Sequence, residues 1–202
     1  LQWGRAVASK FTNKNWHGSG GGGVSRTGGT WSKKYQTDGG IFDSDIRHWD
    51  FAPTQEYFDE LFRVSKNQII WGGNYFGLPP SRCFLVWRKL QIPLEKFTLS
   101  PVEYAWTSFN ENAAMFECFS SGGCGREERF HPTQKPVALY RWLLTKYAKP
   151  GDKILDTHLG SGSIAIACHD LGFDLTGYEL DPDYYAAAMK RIENHKAQGK
   201  LF

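Results

Sequence analysis

No apolar run in this sequence approaches the ~20 residues that an α-helix needs to cross a bilayer, and no secretory segment is present. A soluble, cytoplasmic protein is therefore expected. Cysteine is scarce. Cys83, Cys118, Cys124 and Cys168 are scattered without a Cys-x-x-Cys pair, which argues against a disulfide framework and makes reduced thiols the expectation. Cys118, Cys124 and His131 lack a fourth ligand at any familiar zinc spacing, so no metal is expected. Internal repeats are absent. So is a strong excess of one charge: 24 basic against 21 acidic residues permit an anionic partner without demanding one. A starting methionine is lacking too. Leu1 opens a stretch that reads neither as a signal nor as a natural start, and the chain is expected to be a fragment cut short at its N-terminus.

What is present is glycine, aromatic residues and a clear alternation of helical and strand patterns. A length of 202 residues predicts a single domain with a full core. Residues 16–40 are too rich in Gly, Ser, Thr and Lys for a regular element and read as a long loop. Arg26, Lys33 and Lys34, with Trp31 and Tyr35, give this stretch the cations and stacking surfaces that nucleic acid uses; a surface insertion has the same composition.

Beyond Pro53 the pattern sharpens. Thr54 is placed to cap a helix in which Tyr57, Phe58, Leu61, Phe62 and Val64 recur at helical spacing. Short buried strands are predicted over 68–71, 83–87 and 103–109, with a turn at Gly72-Gly73. Residues 110–129 are polar and glycine-containing and read as a second flexible excursion. Pro136 suits the first turn of a helix with Val137, Leu139, Tyr140, Leu143, Leu144 and Tyr147 on its apolar face, and Asp181 caps a last helix. Helices alternating with strands predict an α/β sheet covered on both faces.

The most informative stretch runs from Ile154 to Glu179. A short apolar strand breaks at Asp156-Thr157-His158-Leu159-Gly160-Ser161-Gly162-Ser163, a helix occupies 164–171 up to Gly172, and a second strand ends at Glu179. In such a βαβ unit the two glycines let a ligand approach main-chain N–H groups at the helix start, and the carboxylate about twenty residues on can accept both ribose hydroxyls. The turn lacks the third glycine of the dinucleotide fingerprint, while Asp156 at the strand tip is placed to receive a cationic amine. A ribose, an ammonium group and no phosphates describe S-adenosylmethionine. A merely well-formed strand-to-helix turn would carry the same glycines.

With His131-Pro132-Thr133-Gln134-Lys135-Pro136 some two dozen residues ahead of that turn, the sequence resembles the DNA amino-methyltransferases that act on adenine N6 or cytosine N4. Trp87-Arg88-Lys89 and Glu103-Tyr104-Ala105-Trp106 are similar to that family's W-x-K and E-x-x-W segments, so the resemblance covers residue 53 to the end. It is nearest to phage-type and restriction-modification-type adenine enzymes whose catalytic half precedes the cofactor half. It implies a Rossmann-like, circularly ordered methyltransferase sheet, with residues 53–130 as the target half and 131–202 as the cofactor half. By the same resemblance, Asp156, His158, Gly160, Ser161, Gly162 and Ser163 line the cofactor, Glu179 holds its ribose and Asp181 adds to the adenine side. Thr133, Gln134 and Lys135 approach its methionine end; read structurally, Lys135 is only a solvated residue before a helix. Trp87 and Lys89 join Arg26, Lys33 and Lys34 as expected contacts to double-stranded DNA, made by a monomer or a homodimer.

The family's chemistry also needs an Asp/Asn-Pro-Pro-Tyr loop, whose polar side chain and proline carbonyl accept the N–H bonds of the flipped base's amine while the ring stacks on it. No such stretch occurs here. Leu78-Pro79-Pro80-Ser81 has the prolines without the acceptor or the ring, and the catalytic loop, with a strand beside the cofactor strand, is expected upstream of Leu1.

Overall fold

The computed structural model describes residues 52–93, 100–119 and 129–198. The glycine-rich stretch 16–40, with Arg26, Lys33 and Lys34, lies outside them. Helix α1 (Gln55–Val64) leads into strand β1 (Ile69–Trp71), a 3-10 turn (Gly73–Tyr75) and strands β2 (Phe84–Lys89), β3 (Val102–Thr107) and β4 (Ala114–Cys118). Helix α2 (Val137–Tyr147) follows, then β5 (Lys153–Asp156), α3 (Ser163–Leu171), β6 (Asp174–Gly177) and α4 (Pro182–Ala197).

Among the described residues the strands pair in two groups. The first has the order β1-β3-β2-β4 and the second is the pair β5-β6. β3 runs antiparallel to both β1 and β2, and β4 is parallel to β2. β5 and β6 are parallel, joined through α3 as the glycine turn and the alanine-rich run predict. The proposed element types are otherwise present, with boundaries shifted by a few residues.

Alternation along β2 sets the faces. Leu85 and Trp87 are buried while Phe84 is exposed, because every second side chain points to the face that α2 covers. There Cys83, Leu85 and Ala105 meet Leu143, with Tyr140, Trp142 and Tyr147 packed around them. The other side of α2 sends Val137 and Leu144 into a second cluster with Ile166, Ala167 and Cys168 of α3 and Ile192 of α4. α2 is thus a wall shared by two cores, with Tyr140 touching both. Away from both sheets, Asp170 of α3 binds Arg141 of α2 and accepts from His195 of α4, the latter at 2.7 Å, which ties the three helices together.

Three expectations are corrected. β4 lies inside the stretch read as a flexible excursion; its five residues alternate between exposed and covered positions, a signal too short to stand out between polar flanks. Val64 is 43% exposed and is no part of the apolar face of α1, which is Phe58 against Phe76 and Phe62 against Trp106. Cys118 is disulfide-bonded, so the expectation of reduced thiols holds only for Cys83 and Cys168 among the described cysteines. No helix among the described residues is long and apolar enough to cross a membrane.

Candidate functional site

The carboxyl ends of β5 and β6 meet the start of α3 at a cluster of polar groups. Gly160 and Gly162 have φ of 53° and 72°, a region that side-chain-bearing residues avoid, so this sharp turn is open only to glycine at low cost. Their backs are closely packed. A Cβ at Gly160 would meet the His131 ring at 3.4 Å, and one at Gly162 would meet Cδ1 of Ile192 at 3.0 Å. Arg191 of α4 braces the same turn, donating to the Ser161 carbonyl at 2.8 Å and to Oγ of Ser163 at 2.9 Å. Ser161 and Ser163 share a hydroxyl hydrogen bond of 3.1 Å and are buried.

Two carboxylates flank the turn. Glu179 accepts the Gly160 N–H at 2.7 Å through one oxygen and the Asp181 N–H at 3.0 Å through the other. A carboxylate has about four lone-pair sites, so these bonds fix its orientation while leaving capacity for a pair of hydroxyl donors. Asp156 accepts the His158 N–H at 2.9 Å. Burial pushes the Asp156 carboxyl above the ordinary aspartate range, with the Glu179 charge adding to it, while His158 and Lys135 pull the other way. A carboxyl held in that condition is poised to gain from a cationic partner.

The segment 131–136 docks onto this turn from one side. The His131 ring is buried, lies 4.4 Å from the Tyr184 ring, and takes the Thr133 N–H on Nδ1 at 3.3 Å. Gln134 is buried, and its Oε1 accepts the Phe130 N–H at 3.3 Å. Lys135 is neither solvated nor free of the protein. Its Nζ lies 3.0 Å from Glu103 and 5.4 Å from the centre of the Trp71 ring, and Lys89 holds the second Glu103 oxygen at 2.7 Å. Burial alone would raise the Glu103 carboxyl, but the Lys135 and Lys89 ammonium groups outweigh it and hold it at about 2. The two lysines and their shared glutamate pin the segment to β2 and β3 of the four-stranded sheet.

The structure therefore brings together Asp156, His158, Gly160, Ser161, Gly162, Ser163 and Glu179, with Thr133, Gln134 and Lys135 on an adjoining segment. Asp181 serves as the helix cap, accepting the N–H groups of Asp183 and Tyr184 at 2.9 and 3.0 Å. Trp87 is a correction: at 1% exposed it has no surface to offer DNA, because its position in β2 points it inward. Lys89 is engaged by Glu103 and sits 5.4 Å from that same indole. The Pro79 carbonyl accepts from Nε1 of Trp106 at 2.7 Å, so the Leu78-Pro79-Pro80-Ser81 stretch is a structural corner. Sequence reasoning missed Tyr57, Thr157 and Arg191. Tyr57 looked like one more apolar position of a helix, and nothing in local spacing could link it to a partner one hundred residues away.

With this geometry in view, comparison with known proteins is decisive on one point: the DNA methylase family model for N6 and N4 enzymes matches residues 31–190. The chain belongs to the N6/N4 DNA methylase family. It is 32% identical over 71 residues to the type II methyltransferase M.HpaI of Haemophilus parainfluenzae, covering 35% of the chain and 23% of that protein. It is 38% identical over 63 residues to the type II methyltransferase M2.DpnII of Streptococcus pneumoniae, covering 31% of the chain and 24% of that protein. The matched region thus spans about a quarter of the length of these curated relatives. Among solved structures, the M1.HpyAVI-SAM complex is similar at a TM-score of 0.45 and 21% identity, over 67% of this chain and 68% of that one.

Proposed function

We infer that the methylase binds S-adenosylmethionine in the crevice between β5 and β6 and serves the transfer of its methyl group to the exocyclic amine of a base in double-stranded DNA, adenine N6 being the favoured acceptor. The observation that carries the reading is the pair of carboxylates around the left-handed glycine turn. Glu179 is oriented by two backbone N–H groups toward a diol, and half-buried Asp156 lies at the strand tip where an ammonium group relieves the cost of its charge. The cofactor supplies an electrophilic methyl on a sulfonium. The chain supplies a turn that admits close approach, a carboxylate for the ribose, a carboxyl for the amine, and the clamp of Lys135 on Glu103 that fixes segment 131–136 alongside.

Arg26, Lys33 and Lys34 remain the proposed DNA contacts, together with the exposed part of Lys89. The preference for adenine rests on the resemblance of the paired motifs. Cytosine N4 is the alternative, which digestion of methylated DNA and chromatography of its nucleosides separates.

A second reading has an observation of its own. None of the 202 residues forms an Asp/Asn-Pro-Pro-Tyr stretch, and Pro79 already gives its carbonyl to Trp106. A chain that keeps the methyltransferase fold and binds DNA without turnover fits that fact. Calorimetry with S-adenosylmethionine and a radiolabelled transfer assay on DNA test both readings. Binding without transfer by this chain, and transfer once an upstream Asp/Asn-Pro-Pro-Tyr segment is supplied, is the expected result. Absence of cofactor binding even then removes the first reading.

A further inference from the structure

The turn at the start of α3 is gripped from behind by one face of α4. Ala188, Arg191 and Ile192 stand three and four residues apart, so they project from the same side of that helix. Ala188 and Ile192 close on Gly162, where an added Cβ would meet the Ala188 methyl at 3.4 Å and Cδ1 of Ile192 at 3.0 Å. Arg191 reaches the residues on either side of that glycine. Its Nη1 donates to the Ser161 carbonyl at 2.8 Å and to Oγ of Ser163 at 2.9 Å. Tyr57, by contrast, touches only the approach from β5, its hydroxyl lying 2.7 Å from Oγ1 of Thr157.

Glycine permits a left-handed backbone without enforcing it, because with no Cβ it takes positive and negative φ about equally well. Gly162, at φ 72°, therefore owes its conformation to whatever holds the peptides around it. The peptide joining Ser161 to Gly162 has two ties: its N–H donates to the Leu159 carbonyl at 3.0 Å, and its carbonyl accepts from Arg191. The first tie is internal to the turn. The second joins the turn to a separate helix, and it is charge-assisted, the stronger kind. Arginine has donors and no acceptor, so the Ser163 hydroxyl accepts from it, and the same oxygen lies 3.1 Å from Oγ of Ser161. Both serines are buried.

We propose that Arg191 is a positioning residue for the cofactor: it selects the left-handed form of the turn through the Ser161 carbonyl, and the Ser163 hydroxyl serves this brace rather than the ligand. The proposal rests on the reading of the turn as an S-adenosylmethionine site and adds to it what sets the turn's shape. A circuit of contacts returns to the carboxylate assigned to the ribose. Glu179 accepts the N–H groups of Gly160 and Asp181, Asp181 caps α4, and α4 carries Arg191 back to Ser161. One helix thereby spaces Glu179 against the turn, so a ligand that must meet both finds them at a fixed separation.

The first measurement needs no ligand. Backbone amide spectra of the whole chain, labelled with nitrogen-15, are recorded for the wild type, R191K and R191M. Methionine keeps an unbranched stem and loses the donors, while lysine keeps a charged donor. R191M is expected to broaden or double the signals of Gly160 and Gly162, while Gly172, the left-handed glycine that ends α3, stays single. R191K is expected to recover part of the order. Single, unshifted signals from Gly160 and Gly162 in R191M overturn the proposal, and so does an R191K no better ordered than R191M.

Calorimetry with S-adenosylmethionine and S-adenosylhomocysteine then links the brace to binding. R191M is expected to lose about tenfold in affinity for both ligands alike, the fold-change of one charge-assisted hydrogen bond. A guanidinium acting through its field would instead repel the sulfonium, and its removal would favour S-adenosylmethionine over S-adenosylhomocysteine; that shift overturns the proposal. S163A is expected to lose about threefold, and the R191M/S163A double variant no more than R191M alone, because the hydroxyl then has nothing left to brace. Losses that multiply in the double variant mean that Ser163 meets the ligand itself, and they overturn its assigned role. Disorder at Gly160 and Gly162 in R191M, with neither ligand bound by the wild type, would strike the cofactor reading and leave the brace standing.

Discussion

The two groups of strands among the described residues are stabilised in different ways. The four-stranded sheet follows the usual logic of a half-covered sheet: one face of β2 and β3 is buried under α2, and hydrogen-bonded ladders run on both sides of β3. The β5-β6 pair does not. Parallel strands are normally buried on both faces, yet β5 alternates between covered and exposed positions and Leu155 is 39% exposed. Among the described residues, side chains from outside the pair brace the glycine turn: Arg191 from α4, His131 from the segment before α2, and Tyr57 from α1. The comparison teaches that the turn takes its placement from the side chains of neighbouring elements.

The comparison is sharpened most by splitting the shared wall. Leu143 and Leu144 are adjacent in α2 but serve different cores, so L143A and L144A are each expected to cost ~2–5 kcal/mol, as buried leucine truncations do. Hydrogen exchange should then diverge. L144A speeds exchange in α3 and α4 more than in β2 and β3, and L143A does the reverse; matching patterns would mean that the two cores are one.

A next test concerns the carboxylate that spans the turn. E179A removes the carboxylate that accepts two backbone N–H groups along with the proposed ribose contact, and charged hydrogen bonds contribute ~1.5–3 kcal/mol each, so S-adenosylmethionine affinity should fall by about tenfold or more. Calorimetry reads it. Unchanged affinity would sink the assignment of Glu179, and a gain of NAD binding would redirect the site to dinucleotides.

Bracing from behind predicts a smaller effect at Gly162. G162A forces a side chain into left-handed backbone, at ~1–2 kcal/mol, and presses it on Ile192, so the midpoint of urea unfolding should drop while β2 and β3 keep their exchange protection. A wild-type midpoint would show that the turn is looser than its contacts imply.

A further effect, read through pH, comes from the joint between the two halves. Glu103 is held at about 2 in the folded protein against 4.5 for a free glutamate, a depressed carboxyl, so its contribution to stability is complete above about pH 4.5 and is lost as the pH falls toward 2. E103Q should be less stable than the wild type at pH 7, with the gap closing on acidification. Unfolding midpoints from pH 7 to pH 3 measure it, and a gap that widened in acid would reverse the assignment.

How much of this was legible in the sequence follows the same division. The βαβ unit announced itself because its turn needs glycine at defined places and its helix is short, apolar and stopped by Gly172. Pro136 and Asp181 marked helix starts for equally local reasons. β4 was hidden because five alternating residues between polar flanks carry little periodic signal. The order β1-β3-β2-β4 could not be read at all, since strand order depends on contacts far apart in sequence. Trp87 misled for a physical reason: an aromatic beside cations suits stacking on bases and filling a core alike, and only the register of β2 decides between them. Lys135 was read in both ways, and its pairing with Glu103 depends on β3 lying beside β2 in space.

The shared position of α2 also orders the birth of the molecule. β2, β3 and β4 are all synthesised before residue 137, so the face bearing Leu85 has no cover until a further 29 residues, to Tyr147, have been made. At ~5–20 residues per second that wait lasts on the order of seconds, long beside the microseconds in which small chains collapse. Helix α3 meets no such delay, because α2, against which it packs, has already been made.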